Sequence, residues 1–256
     1  MKKTLKWIYL GLILFFMYAP IVVMIALSFN ASKSSAVWTG FTTKWYAELF
    51  RDEDIMQALR VTVSVAVIAT AVSTVLGTLA AIGIHAMKKG WATWIINVSY
   101  LPMTMPDIVT GISLMMLFVV VNADVMGYWT MVMAHIAFDT PYVLFSVLPK
   151  LKQMNPNTYE AALDLGCKPL TAVIKVIIPE AAQGIISGAL LAFTMSIDDF
   201  IISHFVGGTV NNLSMEVYGS ARRGVSPSFY ALSALMFVVI LGLLILVNRL
   251  TNLEDV

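Results

Sequence analysis

Charge is what this sequence has least of. Only 12% of its 256 residues are Asp, Glu, Lys or Arg, against about a quarter in a soluble domain. The net charge of +1 carries no signature of nucleic-acid binding. A single cysteine, Cys167, excludes an internal disulfide. Three histidines, His85, His135 and His204, lie far apart, with no His-Glu-x-x-His arrangement for zinc, and each reads as an interfacial or packed side chain. There is no Gly-x-Ser-x-Gly nucleophile elbow, so no enzyme chemistry is legible. There is also no Walker lysine motif, so the chain does not bind and hydrolyse ATP by that route. If it moves a solute, the energy comes from a partner, or transport is passive or ion-coupled. No repeat, low-complexity segment or soluble domain is visible.

Apolar sequence is what it has in abundance. Hydrophobic residues make up 59% of the chain and the mean hydropathy is +0.84. Several runs exceed the roughly 20 residues needed to cross a bilayer. The expectation is an all-α membrane protein of six transmembrane helices in one domain, 1–256. The first run, Trp7 to Phe29, follows Lys2, Lys3 and Lys6. A signal peptide is the alternative, but the run is long for one and contains Pro20, which favours a retained helix. Residues 30–55 are polar, with Trp38, Trp45 and Tyr46 as interfacial aromatics. Asp52, Glu53 and Asp54 complement the dipole of the second span, Met56 to Met87, in which Gly77 and Gly83 permit close packing.

The third span, Trp91 to Val121, is interrupted by Pro102 and Pro106-Asp107, which should break it. An outer turn at Asn122 to Gly127 leads to a fourth span, Tyr128 to Leu148, containing Asp139 and Pro141. A loop at 149–180 precedes a fifth span, Ala181 to Phe205. An outer loop at 206–228 then leads to the sixth span, Phe229 to Val247, and a short tail. With the N-terminus inside, 10 of the 16 lysines and arginines fall on the inner side. This positive-inside bias predicts both termini and the 149–180 loop in the cytoplasm. Arg222 and Arg223 are the discordant outer pair.

Four carboxylates lie inside apolar spans: Asp107, Asp139, Asp198 and Asp199. Placing an aspartate near the bilayer centre costs roughly 2.5–3.5 kcal/mol, and no lysine or arginine in the same spans neutralises them. Asp107 follows Pro106, where it either caps a restarted helix or meets substrate. On a continuous helix, Ser196, Asp199 and Ser203 share one stripe, Thr194 and Asp198 another, and the serine-flanked stripe is the better candidate for a hydrated path. Asp139 either anchors a kink before Pro141 or touches substrate. Acids without matching bases suit an organic cation, whose ammonium groups need carboxylates or aromatic faces once shed of water.

The 149–180 loop holds a different pattern. Asn155-Pro156 supplies a helix cap and a proline at the first helical position, with Glu160 near the positive end of the dipole. Gly166 tolerates the positive φ of a sharp turn, Lys168-Pro169 starts a second short helix, and Pro179 limits it. Glu160, Ala161, Ala162, Gly166 and Pro179, with Val176 and Ile178 as conservative departures, resemble the EAA loop of ABC-importer permeases.

Beyond the loop the chain resembles the spermidine/putrescine branch of those permeases, of the PotC type. The resemblance runs nearly end to end through Phe41-Thr42-Thr43-Lys44-Trp45-Tyr46, Pro106-Asp107-Ile108-Val109, Ser196-Ile197-Asp198-Asp199 and Gly224-Val225-Ser226-Pro227. It implies a type I (MetI-like) permease bundle in a bacterial plasma membrane, with a homologous second permease, a cytoplasmic ATPase pair that alone binds ATP, and an extracytoplasmic binding protein. It implies that the loop couples to the ATPase, that Asp107, Asp198 and Asp199 lie near the translocation path, and that Arg222 and Arg223 face the binding protein. Spermidine, putrescine and other small organic solutes stay open as cargo. A stand-alone channel or ion-coupled carrier is the competing class.

Overall fold

The computed structural model describes residues 3–121, 126–155, 157–224 and 226–252. Asn122 to Val125 of the expected outer turn, the expected N1 residue Pro156, and Val225 lie outside the described residues. Those described are helical, without strands, apart from one isolated antiparallel bridge between Asn30 and Phe41. The chain forms two compact units, Met1–Met56 with Val217–Val256, and Gln57–Glu216.

In the first unit, α1 (Lys3–Leu27) is apolar all round and leaves nearly all its large side chains exposed, as a lipid-facing helix does. The short α2 (Lys44–Leu49) and the long α13 (Pro227–Asn252) pack together, and α13 also lies against α1. Trp45, expected at the membrane interface, is instead 2% exposed, because its indole N–H donates to the Asn30 carbonyl at 2.6 Å. The Asn30 side chain in turn organises the loop, donating to the Val37 carbonyl at 2.8 Å and accepting from the Thr39 N–H at 3.1 Å. Asp52 caps α3 (Glu53–Ala86) by accepting from the Ile55 N–H at 3.1 Å.

The second unit carries the rest of α3, whose 34 residues span about 51 Å, more than a bilayer core requires. Next come α4 (Lys89–Thr104) and α5 (Asp107–Val121), which meet at 104°. The break falls at Met105, whose ψ of 144° is the extended conformation a following proline enforces. Pro102, also expected to break the span, is accommodated inside α4. Then follow α6 (Tyr128–Gln153), α7 (Asn157–Asp164), α8 (Pro169–Ala172), a π turn (Val173–Ile177) and α9 (Ile178–Glu180). The unit ends with α10 (Ala182–Asp198), α11 (Ile201–Val206) and the start of α12 (Leu213–Arg223). By length and composition, α1, α3 and α6 suffice to span alone, the α4–α5 and Pro169–Glu180/α10 pairs reach that length only if each bent pair is counted as one, and α13 has a shorter apolar stretch, Pro227–Gly242.

Three expectations are corrected. Helix continues through Pro179 to Glu180, because the π turn widens the backbone where the proline ring would otherwise meet a carbonyl. The fifth span is not one helix. Asp199 is extended, with ψ 123°, and its carboxylate takes the N–H groups of Ile202 and Ser203, which caps α11 rather than prolonging α10. The polar loop at 206–228 contains α12.

α10 runs antiparallel to α6 on a ridge of small residues at every fourth position, Gly184, Gly188, Ala192 and Ser196, all buried. A Cβ on Gly184 would lie 2.9 Å from the Ser146 carbonyl oxygen, and one on Gly188 3.0 Å from the Val143 Cα. Gly77 of α3 is as tightly placed, 2.7 Å from Val143 Cβ and 2.9 Å from the Thr140 carbonyl, whereas Gly83, also expected in a close contact, faces open space. Gly77→Ala is therefore expected to destabilise the protein by about 1–3 kcal/mol. Gly83→Ala should be neutral or stabilising by up to about 1 kcal/mol. Thermal unfolding of the two purified variants checks the contrast.

Candidate functional site

The break between α10 and α11 holds a buried polar node. α6 presents His135, 2% exposed, and the break presents Asp199, whose side chain is 7% exposed, with His135 Nε2 3.3 Å from Asp199 Oδ2. Ser203 Oγ donates its one proton to Asp199 Oδ2 at 2.8 Å, so its contact with His135 Nε2 at 2.9 Å is one in which the imidazole N–H donates. On the other side of the ring, His135 Nδ1 lies 2.6 Å from Ser196 Oγ in a hydrogen bond. Asp199 also accepts from the Ile202 N–H at 3.1 Å and the Ser203 N–H at 2.7 Å. Hydrogen bonds to a charged group contribute about 1.5–3 kcal/mol each, so the node clamps α6 to the helix break.

Neighbouring contacts fix the break itself. Asn212 Nδ2 donates to the Asp199 carbonyl at 2.8 Å, and Thr62 Oγ1 of α3 accepts the Leu213 N–H at 2.8 Å. Thr130, at the start of α6, donates to the Val206 carbonyl at the end of α11, also at 2.8 Å.

Ser196, Asp199 and Ser203 thus converge across a helix break rather than along one helix face. The other acids are placed differently. Asp198 is exposed, and so is Asp107 in the first turn of α5. Asp139, one turn after His135 on α6, is 0% exposed, and neither of its carboxyl oxygens has a hydrogen-bond partner among the described residues. Sequence reading missed His135: set 61 and 68 residues from its serine partners, it carried no local signal.

The 149–180 loop is built as a hook. Asn155 Oδ1 accepts the Asn157 N–H at 3.0 Å and opens α7. At the far end, Gly166 has φ +85°, its N–H donates to the Leu163 carbonyl at 2.9 Å, and the Cys167 N–H donates to the Ala162 carbonyl at 3.1 Å. This is a Schellman closure, which turns the chain sharply into α8. Ala162 is buried, and α7 packs against α8 and the π turn. Glu160 and Ala161 face outward, and Leu165, Leu170 and Ile174 are 88%, 72% and 54% exposed. These three apolar side chains stand exposed on the hook. At the end of α12 the Arg222 guanidinium lies 5.9 Å from the Tyr218 ring, while the Arg223 side chain is outside the described part.

Comparison with known proteins agrees with this anatomy. The putrescine transport system permease protein PotI of Escherichia coli K12 is 38% identical over 232 residues, covering 86% of this chain and 81% of its own. The spermidine/putrescine transport system permease protein PotC of Haemophilus influenzae is 33% identical over 238 residues, covering 93% of this chain and 92% of its own. The fold is that of a chain of a bacterial ABC transporter involved in importing the acidic polysaccharide alginate. There the TM-score is 0.74 at 15% identity, covering 97% of this chain and 95% of that one. Residues 73–253 match the profile of the binding-protein-dependent transport system inner membrane component. A permease built as a broken-helix bundle, with an apolar hook on its longest polar loop, is therefore what the sequence encodes, and the chain belongs to the family of binding-protein-dependent transport system inner membrane components.

Proposed function

We propose that this chain is the membrane-spanning permease of an ATP-driven importer that carries the polyamines spermidine or putrescine into the cytoplasm. The observation that carries the reading is the near full-length likeness to two permeases named for those solutes. The chemistry of the bundle supports it, since its intramembrane acids have no lysine or arginine in the same spans. Asp107, Asp198 and Asp199, with Ser196 and Ser203, line or gate the path. Both termini and the hook lie in the cytoplasm, as the distribution of lysine and arginine indicates.

The hook, through Glu160, Ala161, Ala162, Gly166 and Pro179, docks on a cytoplasmic ATPase pair that binds the ATP. A homologous second permease completes the bundle, and Arg222 and Arg223 meet an acidic surface of an extracytoplasmic binding protein. ATP binding draws the ATPases together, the hook moves with them, and the bundle opens outward. Opening separates α6 from the α10–α11 break, which exposes Asp199 to the arriving cation, and hydrolysis resets the bundle. Reconstituted with these partners, the importer should accumulate radiolabelled spermidine or putrescine only when ATP is inside the vesicles. ATP-dependent accumulation of a different solute, with neither polyamine transported, would sink the cargo assignment.

A further inference from the structure

Asp139 is a buried acid for which the described residues provide no hydrogen-bond partner. It is fully buried on α6, yet both carboxyl oxygens lack a hydrogen-bond donor, although buried polar groups nearly always find one. A carboxyl retained for stability would be bonded, as Asp199 is. An unbonded one in a membrane interior marks a group whose partner arrives in another state.

Its surroundings define that partner. Asp139 lies one turn from His135 and within electrostatic reach of Asp199. Tyr142, on the next turn of α6, is within electrostatic reach of both Asp139 and Asp107. The Phe138 and Tyr142 rings lie 5.3 Å apart on the same stretch of α6. Across the α6–α10 contact, the register that pairs Gly188 with Val143 and Ser196 with His135 sets the small Ala192 opposite Asp139. Asp139 thus interacts with Asp199 directly and shares Tyr142 with the exposed Asp107.

We infer that Asp139, with the Tyr142 ring, receives one ammonium group of a polyvalent organic cation as it passes between Asp107 and Asp199. The ammonium supplies N–H donors for both orphaned oxygens, and the spaced acids suit a ligand with more than one charge. Asp139 is then a specificity-determining residue of the path, an inference that rests on the polyamine reading.

The test is ATP-driven uptake by the complete importer in proteoliposomes, with the KM and maximal rate for spermidine and putrescine measured alongside thermal stability. Asp139→Asn keeps the shape and removes the charge, so KM should rise about tenfold with the assembled complex still formed. Asp139→Glu should recover part of the affinity, and Asp139→Leu should match or exceed the native melting temperature while transporting poorly. Native KM in Asp139→Asn overturns the inference and leaves the polyamine reading intact. So does a stability loss in Asp139→Leu that Asp139→Asn restores together with uptake, since that is structural behaviour. An unsubstituted importer that moves neither polyamine overturns both.

Discussion

Asp199→Asn is expected to reduce ATP-driven polyamine uptake by the assembled importer at least tenfold. The carboxylate is held by two backbone N–H groups and the Ser203 hydroxyl, with His135 3.3 Å away. An asparagine presents one acceptor oxygen instead of two and turns an NH2 toward donors. Leaving a buried hydrogen-bond donor without its acceptor costs about 1–3 kcal/mol, enough to disturb both the α10–α11 break and any cation contact. His135→Ala should weaken the same clamp from the α6 side. Because the two side chains touch, the double variant should fall short of the sum of the singles by about 0.5–3 kcal/mol. Uptake and melting temperature of the four proteins of that cycle measure the coupling. Additive effects would show that the residues act separately.

The second large effect is expected at the hook. Gly166→Pro removes the N–H bonded to Leu163 and cannot adopt φ +85°, so the turn from α7 to α8 is lost. Uptake should fall to background and co-purification with the ATPase should fail. Glu160→Lys separates fold from docking. The residue is exposed in the first turn of α7, where reversing its charge costs about 0.3–1 kcal/mol of dipole energy. The variant should stay folded yet lose ATPase association or coupled uptake. Native uptake in Glu160→Lys would remove that side chain from the docking surface.

How much was legible in the sequence differs between these two places. The hook was legible because its signals are local: a capping asparagine, a glycine that must be left-handed, and the buried Ala162 fall within about a dozen residues. The break before Asp107 was legible for the same reason, since a proline acts on its immediate neighbour. The polar node was not. Its helix break has no glycine or proline, and it forms because the Asp199 side chain competes for backbone N–H groups that a continuous helix would use. Its principal partner, His135, comes from another helix. Trp45 misled for a related reason: an aromatic in a polar segment has the composition of an interfacial anchor, and only the distant Asn30 carbonyl makes it a buried one. Gly77 and Gly83 look alike in sequence and differ only in whether α6 passes by.

Cys167 offers the most direct test of the coupling claim, because the chain's single cysteine sits on the Schellman turn of the hook, half-buried and free. Its labelling by a membrane-impermeant maleimide needs no substitution, provided partner cysteines are resolved separately on the gel. The account predicts no labelling in intact cells, labelling in inside-out vesicles stripped of the ATPase, and protection when the ATPase is added back. Labelling from outside intact cells, or equal labelling with and without the ATPase, would contradict it.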